Sequence, residues 1–159
     1  MSEALPREIE RKYLLSARPE LPAGVEKIHL VQGWLPGERL RERLRRTTFA
    51  DGRVVHHRAL KLGRGVERIE LEEETTPEIF EHLWVLTEGC RVEKERYLVP
   101  AGADGLCWEI DVFLDRELYL CEVELPSADL QPEPPPFVAA VLEREVTEEP
   151  GFTNLELAR

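Results

Sequence analysis

A mainly β chain, folded as an antiparallel sheet or barrel with one or two helices, is what this sequence predicts. Three observations lead there. Charged and apolar residues alternate with period two through stretch after stretch. Turn signals separate those stretches, among them Asp51-Gly52, Gly63-Arg64-Gly65 and Gly102-Ala103-Asp104-Gly105. One segment near the middle, by contrast, combines helical spacing with start and stop signals.

In chain order, Arg7 to Leu15 reads as a strand that ends before a proline-containing stretch around Pro19 and Pro22. Lys27 to Leu35 is a second apolar stretch, stopped by Pro36-Gly37. Arg39 to Arg45 carries an arginine at every second position, with Leu40 and Leu44 on the opposite face, a strand period and not a helical one. Asp51-Gly52 joins it as a hairpin to Arg53–Leu62. After the next turn, Glu67 to Glu74 alternates Arg68, Glu70 and Glu72 with Ile69 and Leu71. The helix follows: Thr75-Thr76-Pro77-Glu78 supplies an N-cap, a first-turn proline and a capping-box glutamate. Ile79, Leu83 and Leu86, with Phe80 and Trp84 beside them, form its apolar stripe, read as core packing, and Gly89 stops it. Strands resume at Arg91–Pro100, Leu106–Leu114 and Leu118–Leu125. Phe137 to Leu142 is expected to form a short second helix, and Glu145-Val146-Thr147 through Asn154-Leu155 one more short strand and turn. Seven or eight strands result, mostly joined by hairpins, in a single domain over 1–159.

A chain of 159 residues with 42% hydrophobic content can bury one real core. Its net charge of -11 argues against a nucleic-acid surface or an anionic membrane as partner. The 21 lysines and arginines can still gather in a pocket for an anionic small molecule. Cys90, Cys107 and Cys121 have no CxxC spacing and read as buried thiols in a reducing compartment. No apolar run reaches membrane-span length and the first residues lack a signal-peptide pattern, so a cytoplasmic protein is expected.

The polar strand faces carry the chemistry. On a strand, Glu8, Glu10 and Lys12 share one face roughly 6.5–7 Å apart in sequence steps of two. Two carboxylates can hold a hard divalent cation, and an ammonium beside them an anion riding on it. The bland reading is a solvated face with a Glu–Lys ladder. Strand after strand repeats the device, which leaves two architectures open. One is the outer face of an open sheet with cross-strand ion pairs. The other is a closed barrel whose charges point inward at a metal and a polyanion, since enclosed charges are costly unless paired or liganded. His56 and His57 are adjacent, point to opposite faces and cannot chelate together; they read as surface residues.

In order along the chain, Glu8-Ile9-Glu10-Arg11-Lys12 matches an ExExK signature, Gln32-Gly33-Trp34-Leu35 a QGYL segment, and Arg43-Leu44-Arg45 an RxR strand. Lys61, Arg68-Ile69-Glu70-Leu71-Glu72 and Lys94-Glu95-Arg96-Tyr97 continue the series, followed by Trp108-Glu109-Ile110-Asp111, Glu122-Val123-Glu124-Leu125 and Glu145-Val146-Thr147 with Asn154. This series resembles the CYTH superfamily, the triphosphate tunnel metalloenzymes. Ala59 stands where that family usually has Thr, and Phe152 where Tyr is usual.

The resemblance implies an eight-stranded antiparallel β-barrel forming a tunnel, with helices outside. It implies that Glu8, Glu10 and Glu124 hold Mg²⁺ or Mn²⁺, with Glu122 completing the site or orienting a water. Lys12, Arg43, Arg45, Lys61, Arg68, Lys94 and Arg96 would clamp phosphate oxygens. Glu70, Glu72, Glu109 and Asp111 would orient those basic residues by ion pairing. Glu8, Glu10, Lys12, Glu122 and Glu124 form the implied catalytic set. The implied activity is metal-dependent hydrolysis of inorganic triphosphate or another small triphosphate. Rival readings are a class IV-type adenylate cyclase, a thiamine triphosphatase, or a polyanion-binding module without turnover. The expected partner is a small-molecule triphosphate, with no nucleic acid and no membrane, and a homodimer is one option for assembly.

Overall fold

Nine strands and three short helices follow one another in a computed structural model that describes residues 4–100 and 105–159. The strands are β1 (Arg7–Leu15), β2 (Glu26–Trp34), β3 (Glu42–Thr48), β4 (Val54–Leu62), β5 (Glu67–Glu74), β6 (Arg91–Pro100), β7 (Cys107–Phe113), β8 (Tyr119–Glu124) and β9 (Leu142–Glu145). The helices are α1 (Pro77–Trp84), α2 (Pro136–Ala139) and α3 (Asn154–Leu157). The expected turn at 102–105 lies outside the described residues except for Gly105.

The ladder runs β5-β4-β3-β2-β6-β7-β8-β1, and β1 also pairs with β5, so eight antiparallel strands close on themselves. Closure removes every free edge of the ring. It decides between the open sheet and the barrel: the charged faces point inward. β1 makes closure possible by sharing one edge between two partners, β5 along Arg7–Ile9 and β9 along Tyr13–Leu15.

Because alternate residues face opposite ways, an ionic lumen requires that the apolar residues of the same strands face outward. Trp108, Ile110, Cys121 and Val123 are at most 1% exposed on the outer face, where Tyr13, Leu15 and Val99 join them. The segment before and within α2 covers them with Leu130, Phe137 and Val138. A second apolar cluster closes part of one barrel end, where Trp34, Val92, Phe113 and Leu120 meet Val146, Leu155 and Ala158 of the C-terminal segment.

α1 starts as expected: Thr76 caps it and accepts a hydrogen bond from the Ile79 N–H, with Pro77 in the first turn. Its buried face differs from the expected stripe. Phe80 is fully buried, whereas Ile79 lies on the exposed side of α1, and Leu86 is exposed in a 3-10 turn at Val85–Thr87 that shifts the phase at the helix end. Phe80 packs instead on His56, with ring centroids 4.6 Å apart. Thr87 and Trp84 press against Gly33 of β2, where a Cβ would lie 2.6 Å from Thr87 Oγ1. That close approach explains the glycine between Gln32 and Trp34.

Other expectations are corrected. Arg39 and Arg41 precede β3 as loop residues, because the Pro36-Gly37 break delays the strand until Glu42. The second helix ends at Ala139, and Leu142 opens β9, which pairs with β1. Asn154 and Leu155 lie in α3, whose capping box joins Thr153 and Glu156. Cys107 is exposed, Cys90 half-buried and Cys121 buried; all three are free thiols. Neither histidine of the 56–57 pair is a plain surface residue: His56 is buried beneath α1, and His57 is half-buried and turned inward opposite Arg45.

Candidate active site

Strand register brings the residues singled out in the sequence to one lumen. Glu10 faces Glu124 and Lys12 faces Glu122 across the β1–β8 ladder. Lys61 faces Glu70 between β4 and β5, and Arg96 faces Asp111 between β6 and β7. Ion pairs then reach across non-neighbouring strands, such as Lys61 Nζ to Glu8 Oε2 at 2.8 Å and Arg43 to Glu72 at 2.6 Å, which only an enclosed face permits.

The candidates divide into two layers. The lower one is a closed network around Asp111, which is fully buried. Arg96 donates to Asp111 at 2.7 and 2.8 Å and to Glu122 at 2.6 Å, and also pairs with Glu109. Lys94 pairs with Asp111, donates to Asn154 Oδ1 at 3.3 Å, and is itself fully buried. Lys12 Nζ lies 2.8 Å from Glu122 Oε1 and also donates to the Phe152 carbonyl at 3.2 Å. Burial opposes charging of all these groups, and their partners decide the outcome. Burial would raise Glu122, yet Lys12, Arg96 and Lys94 hold it well below the ordinary carboxylate range. Burial would lower Lys12, yet Glu122 and Glu10 bring it above the ordinary lysine value. For Lys94 burial prevails, helped by Arg96, and its pKa falls in spite of Asp111.

The upper layer is less closed. Arg43 bonds Glu72 at 2.6 Å and Glu70 at 3.1 Å, and Arg45 bonds Glu72 at 2.8 Å. Lys61 bonds both oxygens of Glu8, and Arg68 bonds Glu8 at 3.2 Å and pairs closely with Glu10. The Nε atoms of Arg43, Arg45 and Arg68 are buried without a protein partner. Buried N–H groups of this kind are costly unless something accepts from them, and oxyanions do so well. Glu70 and Glu72 hold Arg43 and Arg45, and Glu8 and Glu10 hold Arg68, each leaving the Nε donor free.

A cavity of about 720 Å³ opens over this layer. Lys12, Arg43, Lys61 and Arg68 line it together with Glu10. Arg45, Lys94 and Arg96 do not line it; Lys94 and Arg96 lie in the buried network. Sequence reasoning missed Arg64 and Arg159, which also line the cavity. Arg64 was visible only as a turn residue, and Arg159 belonged to no motif.

The carboxylates on the β1–β8 side meet a chemical test for a hard cation. Glu124 makes no ion pair among the described residues, while partial desolvation at its exposed position and the neighbouring Glu8, Glu10 and Glu70 push its pKa up. Packed oxygen donors that repel one another are what a divalent cation relieves. In the present arrangement Glu8 and Glu10 turn toward Lys61 and Arg68. Among the described residues no three acidic, histidine or cysteine side chains converge at ligating geometry.

Comparison with known proteins places this architecture. No family model matches the chain. The inorganic triphosphatase of Nitrosomonas europaea is 36% identical over 157 residues, covering 95% of this chain and 96% of that one. The chain belongs to the inorganic triphosphatase family. Its fold agrees with the family's: the crystal structure of the inorganic triphosphatase NE1496 superposes with a TM-score of 0.64 at 34% identity, over 95% of this chain and 93% of that one. The PH1819 protein from Pyrococcus horikoshii OT3, at 18% identity and a TM-score of 0.55 over 77% of this chain and 80% of that one, shares the fold. This family membership agrees with the CYTH resemblance read from the ordered motifs.

Proposed function

We propose that the chain hydrolyses a phosphoanhydride bond of inorganic triphosphate, with Mg²⁺ or Mn²⁺ as cofactor. The observation that carries this reading is the gathering of Lys12, Arg43, Lys61 and Arg68 on one cavity of a chain whose net charge is -11. Such concentration of cations against the overall charge suits a small, densely charged anion.

Phosphoryl transfer asks the protein mainly for positioning and charge neutralisation. Arg43 and Arg68 offer phosphate oxygens the Nε donors that their carboxylate partners leave unused, and Lys12 and Lys61 supply point charges. Water attacks a terminal phosphorus, the bond to the bridging oxygen breaks, and orthophosphate and pyrophosphate leave, with a proton passing to base or solvent. Glu8, Glu10 and Glu124 would hold the cation, which supplies Lewis-acid charge neutralisation and lowers the pKa of a bound water. Glu122, held by Lys12 and Arg96, is suited to orient a water from the carboxylate side. Free thiols at all three cysteines fit a reducing, cytoplasmic setting.

Glu10→Gln tests the reading, because it keeps shape and removes one donor charge. Metal-dependent phosphate release from triphosphate should fall by about 100-fold or more, in line with the loss of a key electrostatic group. Wild-type turnover in this variant would remove Glu10 from the site.

A further inference from the structure

The distribution of cation partners across the described residues is uneven. The chain has 21 lysines and arginines. Nearly all of them form an ion pair, a hydrogen bond or a ring contact, even where they are well exposed. Arg7 pairs with Glu67 at 68% side-chain exposure, and Lys27 with Glu95 at 50%. Arg18 bonds the Tyr97 hydroxyl, and Arg53 stacks on Phe49. Arg39, Arg41, Arg64 and Arg159 are the exceptions, and all four line the mouth of the same cavity. Arg64 acts on Glu156 through space without pairing with it. Carboxylates line the same cavity: Glu149 is taken by Arg144 and Glu156 by Thr153, while Glu38 and Glu148 lie there without pairing with any of the four arginines. With 32 acidic residues in the chain, free arginines at one place need a reason.

Three separate segments bring them there: the loop before β3, the β4–β5 turn and the C-terminal residue. Exposure alone does not explain their freedom, since Arg7 and Lys27 are exposed and paired. We propose that Arg39, Arg41, Arg64 and Arg159 form an anion-capture collar, which takes up the incoming phosphoanhydride before the inner clamp of Lys12, Arg43, Lys61 and Arg68 receives it. This deepens the reading of the same cavity as a triphosphate site and rests on it. The physical need is clear: a chain at -11 repels a polyanion at long range, and unpaired guanidinium groups at the cavity give it a first local contact. Guanidinium groups held by no carboxylate keep their donors available to the ligand, and their exposure makes the attraction sensitive to salt.

The double variants R39Q/R41Q and R64Q/R159Q test the collar, with Arg53→Gln at the opposite, β3–β4 hairpin end as a control for loss of an arginine away from the cavity. Steady-state hydrolysis of inorganic triphosphate is measured from low to physiological ionic strength, after thermal melts confirm folding. Each double variant should lower kcat/KM by roughly tenfold at low salt, keep kcat within about twofold, and flatten the dependence of kcat/KM on ionic strength. Arg53→Gln should follow the wild type. Wild-type kcat/KM with an unchanged salt slope in both double variants would overturn the collar. If the wild type turns over no triphosphate, the functional reading fails separately. Calorimetric titration of inorganic triphosphate in EDTA then decides the collar: weakened, less salt-dependent binding in the variants supports it, and unchanged binding overturns it.

Discussion

Glu10 and Glu124 are direct partners across the β1–β8 ladder, and both face the lumen, yet only Glu10 has an arginine. Like charges placed directly opposite on a sheet destabilise it, so this pair costs stability in the metal-free chain. Glu124→Gln should therefore raise the thermal stability of the metal-free protein by a few tenths to about 1 kcal/mol, while cutting metal-dependent turnover by about 100-fold. Differential scanning calorimetry in EDTA, paired with phosphate-release assays, reads both. A variant that loses stability and keeps its activity contradicts the assignment.

The same carboxylate sets a pH dependence for cation binding. Because partial desolvation and its acidic neighbours raise Glu124, protons compete with a cation for it in the acid range. Affinity for Mn²⁺ should fall on acidification, beginning above the ordinary glutamate pKa of about 4.3, and binding should release protons. Calorimetry in two buffers of different ionisation enthalpy measures that release. Proton-independent binding across the acid range would count against Glu124 as a ligand.

Asp111 holds the lower network together. Asp111→Asn would leave Lys94 and Arg96 buried with an incomplete partner, and such losses cost about 3–5 kcal/mol. For a chain of this size that corresponds to a drop of roughly 6–20 °C in Tm. A variant melting within about 2 °C of the wild type would show that Asp111 does not carry the network.

Glu122 makes folding stability sensitive to acid. Its folded-state pKa is depressed, so its contribution is fully present above the unfolded value of about 4.3 and is lost as pH falls through the folded value. The wild type should lose stability steeply below about pH 4, and Glu122→Gln should flatten that limb of the denaturation curve. Parallel acid limbs for the two proteins would refute this.

Arg43 lines the cavity with an unused Nε, whereas Lys94 has no exposed side chain. Arg43→Ala should raise KM for triphosphate by about tenfold or more, with a smaller loss of stability than Lys94→Ala. Lys94→Ala should mainly destabilise the chain, since it empties a fully buried position and leaves Asp111 with Arg96 alone. Steady-state kinetics beside thermal melts separate the two, and equal destabilisation would merge the layers distinguished above.

How much of this was legible in the sequence follows from what each signal depends on. Period-two alternation placed Glu8, Glu10, Lys12, Lys94, Arg96, Asp111 and Glu122 on the charged faces of their strands, because side-chain direction on a strand is a local property. Whether the strands closed was not local: it depends on β1 sharing its edge between β5 and β9, a pairing between residues about 60 and 130 apart. The helical stripe failed at Leu86 because the 3-10 turn changes the phase, and at Ile79 because α1 buries the neighbouring Phe80 instead. Arg39 and Arg41 looked like strand residues, since alternation persists through the loop that Pro36-Gly37 creates. The split into a buried network and an open clamp was invisible for the same reason. Both layers carry the same residue types at the same spacing, and only depth in the barrel separates Lys94 from Lys61.

The most direct test of the central claim is phosphate and pyrophosphate release from inorganic triphosphate, ATP and thiamine triphosphate, each with Mg²⁺, Mn²⁺ or EDTA. Rapid release from inorganic triphosphate that requires the metal and exceeds that from the two organic substrates is the expected result. Release that persists in EDTA, pyrophosphate with cyclic AMP from ATP, or no turnover of inorganic triphosphate would contradict it.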